Sequence, residues 1–168
     1  MKAFGKLIWI VVMVGFWSCT SGTDELQVRE SVYILHRVST TAIEGRVTFT
    51  EVGPTTVQVA ITLSGTEEGL PFPAHLHFGT VNETGELAFR LNDVDGATGE
   101  SITMLENERL TDGSELTYDL LQEINGSVKI HMNVPEGSAF SNFAVATGNI
   151  GTNSREYDPN SITVCVGH

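Results

Sequence analysis

Basic residues are few. Nine Lys and Arg stand against 21 Asp and Glu in a chain of 168 residues, for a formal charge of −12. No basic stretch exists that could neutralise a row of phosphates, which excludes a nucleic-acid binder. Sustained helical periodicity is also missing, as are any internal repeat and any linker that would divide the chain. Charge runs are too short, and aromatic and β-branched residues too many, for a disordered chain. What remains is one domain's worth of sequence, long enough to bury a single core. Cysteines number two and histidines five. Any metal or redox chemistry must come from that small set.

Long apolar runs are absent except at the start, where residues 7–17 read LIWIVVMVGFW after Lys2 and Lys6. Eleven helical residues span roughly 16 Å, too little for a bilayer core of about 30 Å. A basic segment followed by a short apolar one is a secretory signal. The Ser18-Cys19 pair at its end resembles a bacterial lipoprotein signal, although Phe16 and Trp17 depart from the usual Leu and small residue. That resemblance implies a signal over 1–18, a lipidated Cys19 and a flexible polar tether over 19–29. The partner would be a membrane, reached through the lipid on Cys19, and the place a bacterial cell envelope. An ordinary cleaved signal is the alternative. Removal of 1–18 takes two lysines and no acids, which leaves a charge of −14. Export allows thiols to oxidise, but with Cys19 acylated Cys165 has no partner and no intrachain disulfide is expected.

Beyond the tether, apolar and polar residues alternate in short runs. Candidate strands cover residues 32–35, 45–50, 57–63, 74–78, 86–91, 101–104, 127–132 and 162–166. In residues 57–63, Val57, Val59, Ile61 and Leu63 share one face. Gly53-Pro54, Ser64-Gly65, Asp95-Gly96, Asp112-Gly113 and Asn125-Gly126 read as turns between strands. Residues 117–124 hold at most a helical turn. The expected fold class is all-β, an antiparallel sandwich or barrel over residues 30–168.

Two histidines stand at i and i+2 in Pro73-Ala74-His75-Leu76-His77-Phe78-Gly79. On a strand both imidazoles leave the same face, so one metal ion can reach both. Leu76 and Phe78 then turn to the core. His131 sits in a second strand pattern, Val128-Lys129-Ile130-His131-Met132-Asn133. Three imidazoles converging from two strands suit copper or zinc. Taken alone, a His-x-His pair is as well read as a polar strand face.

Residues 32–79 resemble the first half of a Cu/Zn superoxide dismutase. The matching parts are Gly45-Arg46-Val47-Thr48-Phe49, the strand and turn over 63–70, and His75-Leu76-His77-Phe78-Gly79. In the second half, SVKIHMN resembles the strand that bears the family's last copper histidine, here His131. Thr147-Gly148-Asn149-Ile150-Gly151 resembles a family loop that leads to Arg155, and residues 162–167 resemble the terminal strand. A second alignment places 146–151 in a strand, and Arg155 then loses its meaning. The resemblance implies a Greek-key β-sandwich with a single copper ion on His75, His77 and His131, superoxide as substrate, and Arg155 as the group that guides the anion. No histidine lies between His77 and His131, so the family's zinc site is not expected whatever Asp93 and Asp95 do. The same Ala74-His75-Leu76-His77 segment followed by Gly79 also resembles chordin-like (CHRD) domains. That likeness implies the same sandwich used as a non-catalytic binding or scaffold module with a vestigial metal site.

A charge of −14 repels an anionic substrate unless a local positive patch focuses it. His36 is expected to be solvated, Cys165 to be a buried apolar-like residue rather than a reactive thiol, and His168 to be structural, with adventitious metal binding by its carboxylate and Cys165 as the alternative. Met104 and Met132 read as core residues. Glu67, Glu68, Asp93, Asp95 and Asp112 read as solvated acids at turns, with weak calcium binding as the alternative.

Overall fold

The computed structural model describes residues 28–154 apart from residues 39, 70, 84, 133 and 135–142. The period-two patterns become strands: β1 (Glu30–Arg37), β2 (Glu44–Gly53), β3 (Thr56–Ser64), β4 (Ala74–Phe78), β5 (Leu87–Arg90) and β6 (Glu100–Glu106). One short helix follows, α1 (Tyr118–Glu123), then β7 (Asn125–His131) and β8 (Ala144–Gly151). Neighbouring strands pair antiparallel in one curled sheet of order β5-β4-β7-β8-β1-β2-β3-β6. The protein is all-β.

The curl turns on β1. Residues 30–35 of that strand pair with β2, whereas His36 and Arg37 pair with Thr147 and Ala146 of β8. One strand thus belongs to both halves of the sheet. Inside the curl, Val47, Phe49, Val59 and Ile61 from one half and Leu76, Val128 and Ile130 from the other form a single buried cluster. Each such side chain contributes about 1.5–3 kcal/mol by leaving water. The segment after β5 crosses to the far edge and covers β6: Asn92 donates its backbone N–H to Thr103 Oγ1 at 2.8 Å and its amide to the Ile102 carbonyl at 2.8 Å. Main-chain groups at that edge are thereby less available to another strand.

Helix α1 starts where Thr117 accepts a hydrogen bond from the Leu120 N–H at 3.1 Å, a normal cap;. It buries Tyr118 and Leu121. Arg29 pairs with Glu51 of β2 and with Asp119 of α1, and lies 4.9 Å from the centre of the Tyr118 ring. Those contacts fasten the helix to the sheet. Among the described residues no helix is long and apolar enough to cross a membrane.

Three expectations are corrected. Asn125-Gly126 is not a turn but the start of β7, where Gly126 pairs with Phe78 on one side and Ile150 on the other. Residues 147–151 are not a loop: they belong to β8, paired along β7, so the reading that led from a loop to Arg155 loses its basis. Met104 is not core, being 51% exposed. Leu105 takes the inward position on β6, and a period of two then turns Met104 and Ile102 outward and Ser101 and Thr103 inward;. The two inward hydroxyls are satisfied by the backbone of Asn92. The signal, Cys19 and the tether up to residue 27 lie outside the described residues, as do Arg155, the expected strand 162–166 with Cys165, and His168.

Candidate metal centre

The site begins with strand parity. On β4, Ala74 and Leu76 are buried in the core, so His75 and His77 leave the opposite face;. On β7, Val128 and Ile130 face inward, which sends Ser127, Lys129 and His131 out. Register then sets who meets whom. His75 lies across from Lys129 and His77 across from Ser127, while His131 donates its N–H to the Pro73 carbonyl at 2.8 Å. His131 therefore stands beside the beginning of β4. The three imidazoles converge there, with one ligand nitrogen from each within 4.8 Å of the others. Ring centres are 4.7 Å apart for His75 and His131, 5.9 Å for His75 and His77, and 6.1 Å for His77 and His131.

This outer face is not a wet one. His77 and His131 are buried, and Ser127, Lys129 and Thr147 beside them are fully so. The segment after β4 folds over the face and is tied down at three points. Val81 donates its N–H to Asn149 Oδ1 at 2.7 Å, Lys129 Nζ donates to the Glu83 carbonyl at 3.2 Å, and Gly79 donates to the Asn125 carbonyl at 2.8 Å. His75 is only half-buried, so the cluster opens to solvent on its side.

Hydrogen-bond partners set the state of two rings. The Gly85 carbonyl lies 3.0 Å from His77 Nδ1. A carbonyl can only accept, so Nδ1 carries the proton and Nε2 keeps the lone pair that a metal needs. Arg90, the last residue of β5, pairs in register with His75 and places Nη1 3.1 Å from His75 Nε2. A guanidinium can only donate, so that nitrogen is the acceptor. Burial pushes the His75 imidazole down to about 3, and His131, Arg90 and His77 add to the effect through their charge. The ring is therefore neutral over the whole physiological range, as a metal ligand must be.

Does the cluster fit an ion? Three nitrogens each about 2.0–2.1 Å from one ion in a trigonal plane stand roughly 3.5 Å apart. The ligand atoms, all within 4.8 Å of one another, exceed that spacing by at most about 1.3 Å, a change on the scale of side-chain rotation;. Imidazole donors suit zinc, copper, iron and nickel, and among the described residues the group holds neither carboxylate nor thiolate;. The residues fit a metal ion, and the donor set leaves its identity open.

Other candidates stand apart. His36 is half-buried on β1 rather than solvated, because that end of the strand is held against β8, and it does not join the trio. Met132 packs on the core. Glu67, Glu68, Asp93, Asp95 and Asp112 are exposed. Asp95 accepts from the N–H groups of Ala97 and Thr98, bonds that hold its carboxyl below the usual range, and Asp112 accepts from Ser114. Both carboxylates thus shape their own turns.

Sequence reasoning missed Arg90, Lys129, Asn149 and the Gly85 carbonyl. Arg90 follows from the pairing of β5 with β4, which contains a register shift between Leu76 and His77 that no pattern announces. Lys129 is visible only as an outward residue, and its burial depends on the segment folded over it. No protein-family model matches this chain, and a comparison with curated proteins gives no match either.

Proposed function

We propose that this is an envelope-anchored copper-binding protein with a superoxide dismutase-like Greek-key sandwich, holding one copper ion and no zinc on His75, His77 and His131. The observation that carries the reading is the convergence of three imidazole nitrogens within 4.8 Å from two strands far apart in sequence. A copper ion supplies one-electron exchange when bound, and superoxide is the substrate that this chemistry and the family resemblance suggest together. The chain's own part is to keep the His75 imidazole neutral, to fix the His77 tautomer through Gly85 and to keep water from all but the His75 side. Lipidation at Cys19 provides the proposed membrane anchor.

A second reading is a non-catalytic CHRD-like binding or scaffold module with a vestigial site. One observation favours it: the Arg90 guanidinium already uses the His75 lone pair. Copper titration of the purified domain separates the two. The metal reading expects one ion per chain and an affinity at least tenfold weaker in His131→Ala, since one of three ligands is lost. Equal stoichiometry and affinity in both proteins would remove the site. Superoxide consumption by the copper-loaded domain then distinguishes an enzyme from a binding module, and a rate no higher than that of copper-free protein leaves the module.

A further inference from the structure

We propose that Arg90 makes the three-histidine centre selective for a monovalent ion, copper in its reduced state, over divalent ions. The inference rests on the reading that the trio holds a metal. A neutral imidazole has one acceptor nitrogen, and Arg90 sits 3.1 Å from it on His75;. The hydrogen bond and a bond from His75 to a metal therefore exclude each other, whichever ring nitrogen the metal takes. A bound ion displaces the guanidinium from that nitrogen. It does not remove the charge, because β5 pairs with β4 and His75 is the in-register neighbour of Arg90.

Charge then separates the ions. Repulsion between Arg90 and a bound cation grows in proportion to the charge of that cation, so a divalent ion loses twice what a monovalent ion loses. Among the described residues nothing in the ligand set offsets this, because the group is three imidazoles, each uncharged when it serves as a ligand, with no carboxylate or thiolate;. Three neutral nitrogens with a positive neighbour form a centre better matched to one positive charge than to two. Competition for the His75 lone pair, by contrast, weakens every ion by the same factor. The two effects are separable.

The test compares wild type with Arg90→Met, which removes donor and charge, and Arg90→Lys, which keeps both. Arg90 is exposed at the end of a strand, so both variants keep the core intact. Affinities for Cu⁺, measured without oxygen against a competing chelator, and for Zn²⁺ are determined for each protein. In Arg90→Met both ions bind more tightly, and Zn²⁺ gains about tenfold more than Cu⁺. In Arg90→Lys the ratio of the two affinities stays within a factor of about three of wild type. A tenfold change in the ratio of Cu⁺ to Cu²⁺ affinity is about 59 mV for this one-electron couple, so the copper potential of Arg90→Met falls by that much. Equal gains for the two ions in Arg90→Met would overturn the proposal, because Arg90 would then be only a competitor for the lone pair. Unchanged affinities would overturn it as well. A wild-type protein that takes up neither ion sinks this proposal together with the metal reading, whereas uptake with an unchanged ratio sinks this one alone.

Discussion

At the scale of single residues, the centre depends on a residue with no side chain. Gly85 offers its carbonyl to His77 Nδ1, and a Cβ at that position would stand 1.5 Å from the Phe78 carbonyl oxygen. Gly85→Ala must therefore move the backbone and take the acceptor away from His77. Losing the partner that orients a metal-bound imidazole typically costs 10–100-fold in metal affinity. Isothermal titration of Gly85→Ala with copper is expected to show that loss, with the strand content by circular dichroism unchanged. The two histidines of β4 were legible because parity along a strand is a local property, and the third because its own segment alternates. The Gly85 contact was not legible. It joins a side chain to a main-chain atom eight residues on, and no residue type marks a carbonyl.

Among elements, β8 decides the architecture. It lies between β7 and β1 and buries residues 145–150 without a break. At Gly148 the sheet leaves no room, since an added Cβ would meet the Ile34 carbonyl oxygen of β1 at 2.1 Å. Gly148→Ala is expected to lose about 2–3 kcal/mol through the forced separation of β1 and β8. A urea unfolding midpoint would register it, and a change under 0.5 kcal/mol would show that the two strands adapt freely. The other strands were legible from alternation to within a few residues, β4 at both ends. β8 was the least legible because ATGNIG is rich in small and polar residues, a composition shared with loops. Its strand character comes from neighbours on both sides rather than from its own propensity. Met104 shows the converse case: its hydropathy suggested burial, and the inward Leu105 next to it decided otherwise.

For the molecule as a whole, the proposed ligands tie together positions 75 and 131, which no short-range structure holds together in an unfolded chain. An ion that binds only the folded protein stabilises it by about 2.7 kcal/mol at a hundredfold excess over the dissociation constant. The thermal midpoint is therefore expected to rise by several degrees with copper in the wild type and to stay put in His131→Ala. Equal shifts in both would assign the copper to other groups. The trio also depends on how β4 and β7 are aligned. With His75 across from Lys129 and His77 across from Ser127, a slip of one residue along either strand would turn a histidine-bearing face towards the core and dissolve the cluster;. Uptake of an ion would thus act as an inspection mark on the folded chain. A molecule that has the metal has, by that fact, passed the pairing step correctly, and a mispaired one would leave the assembly line without it.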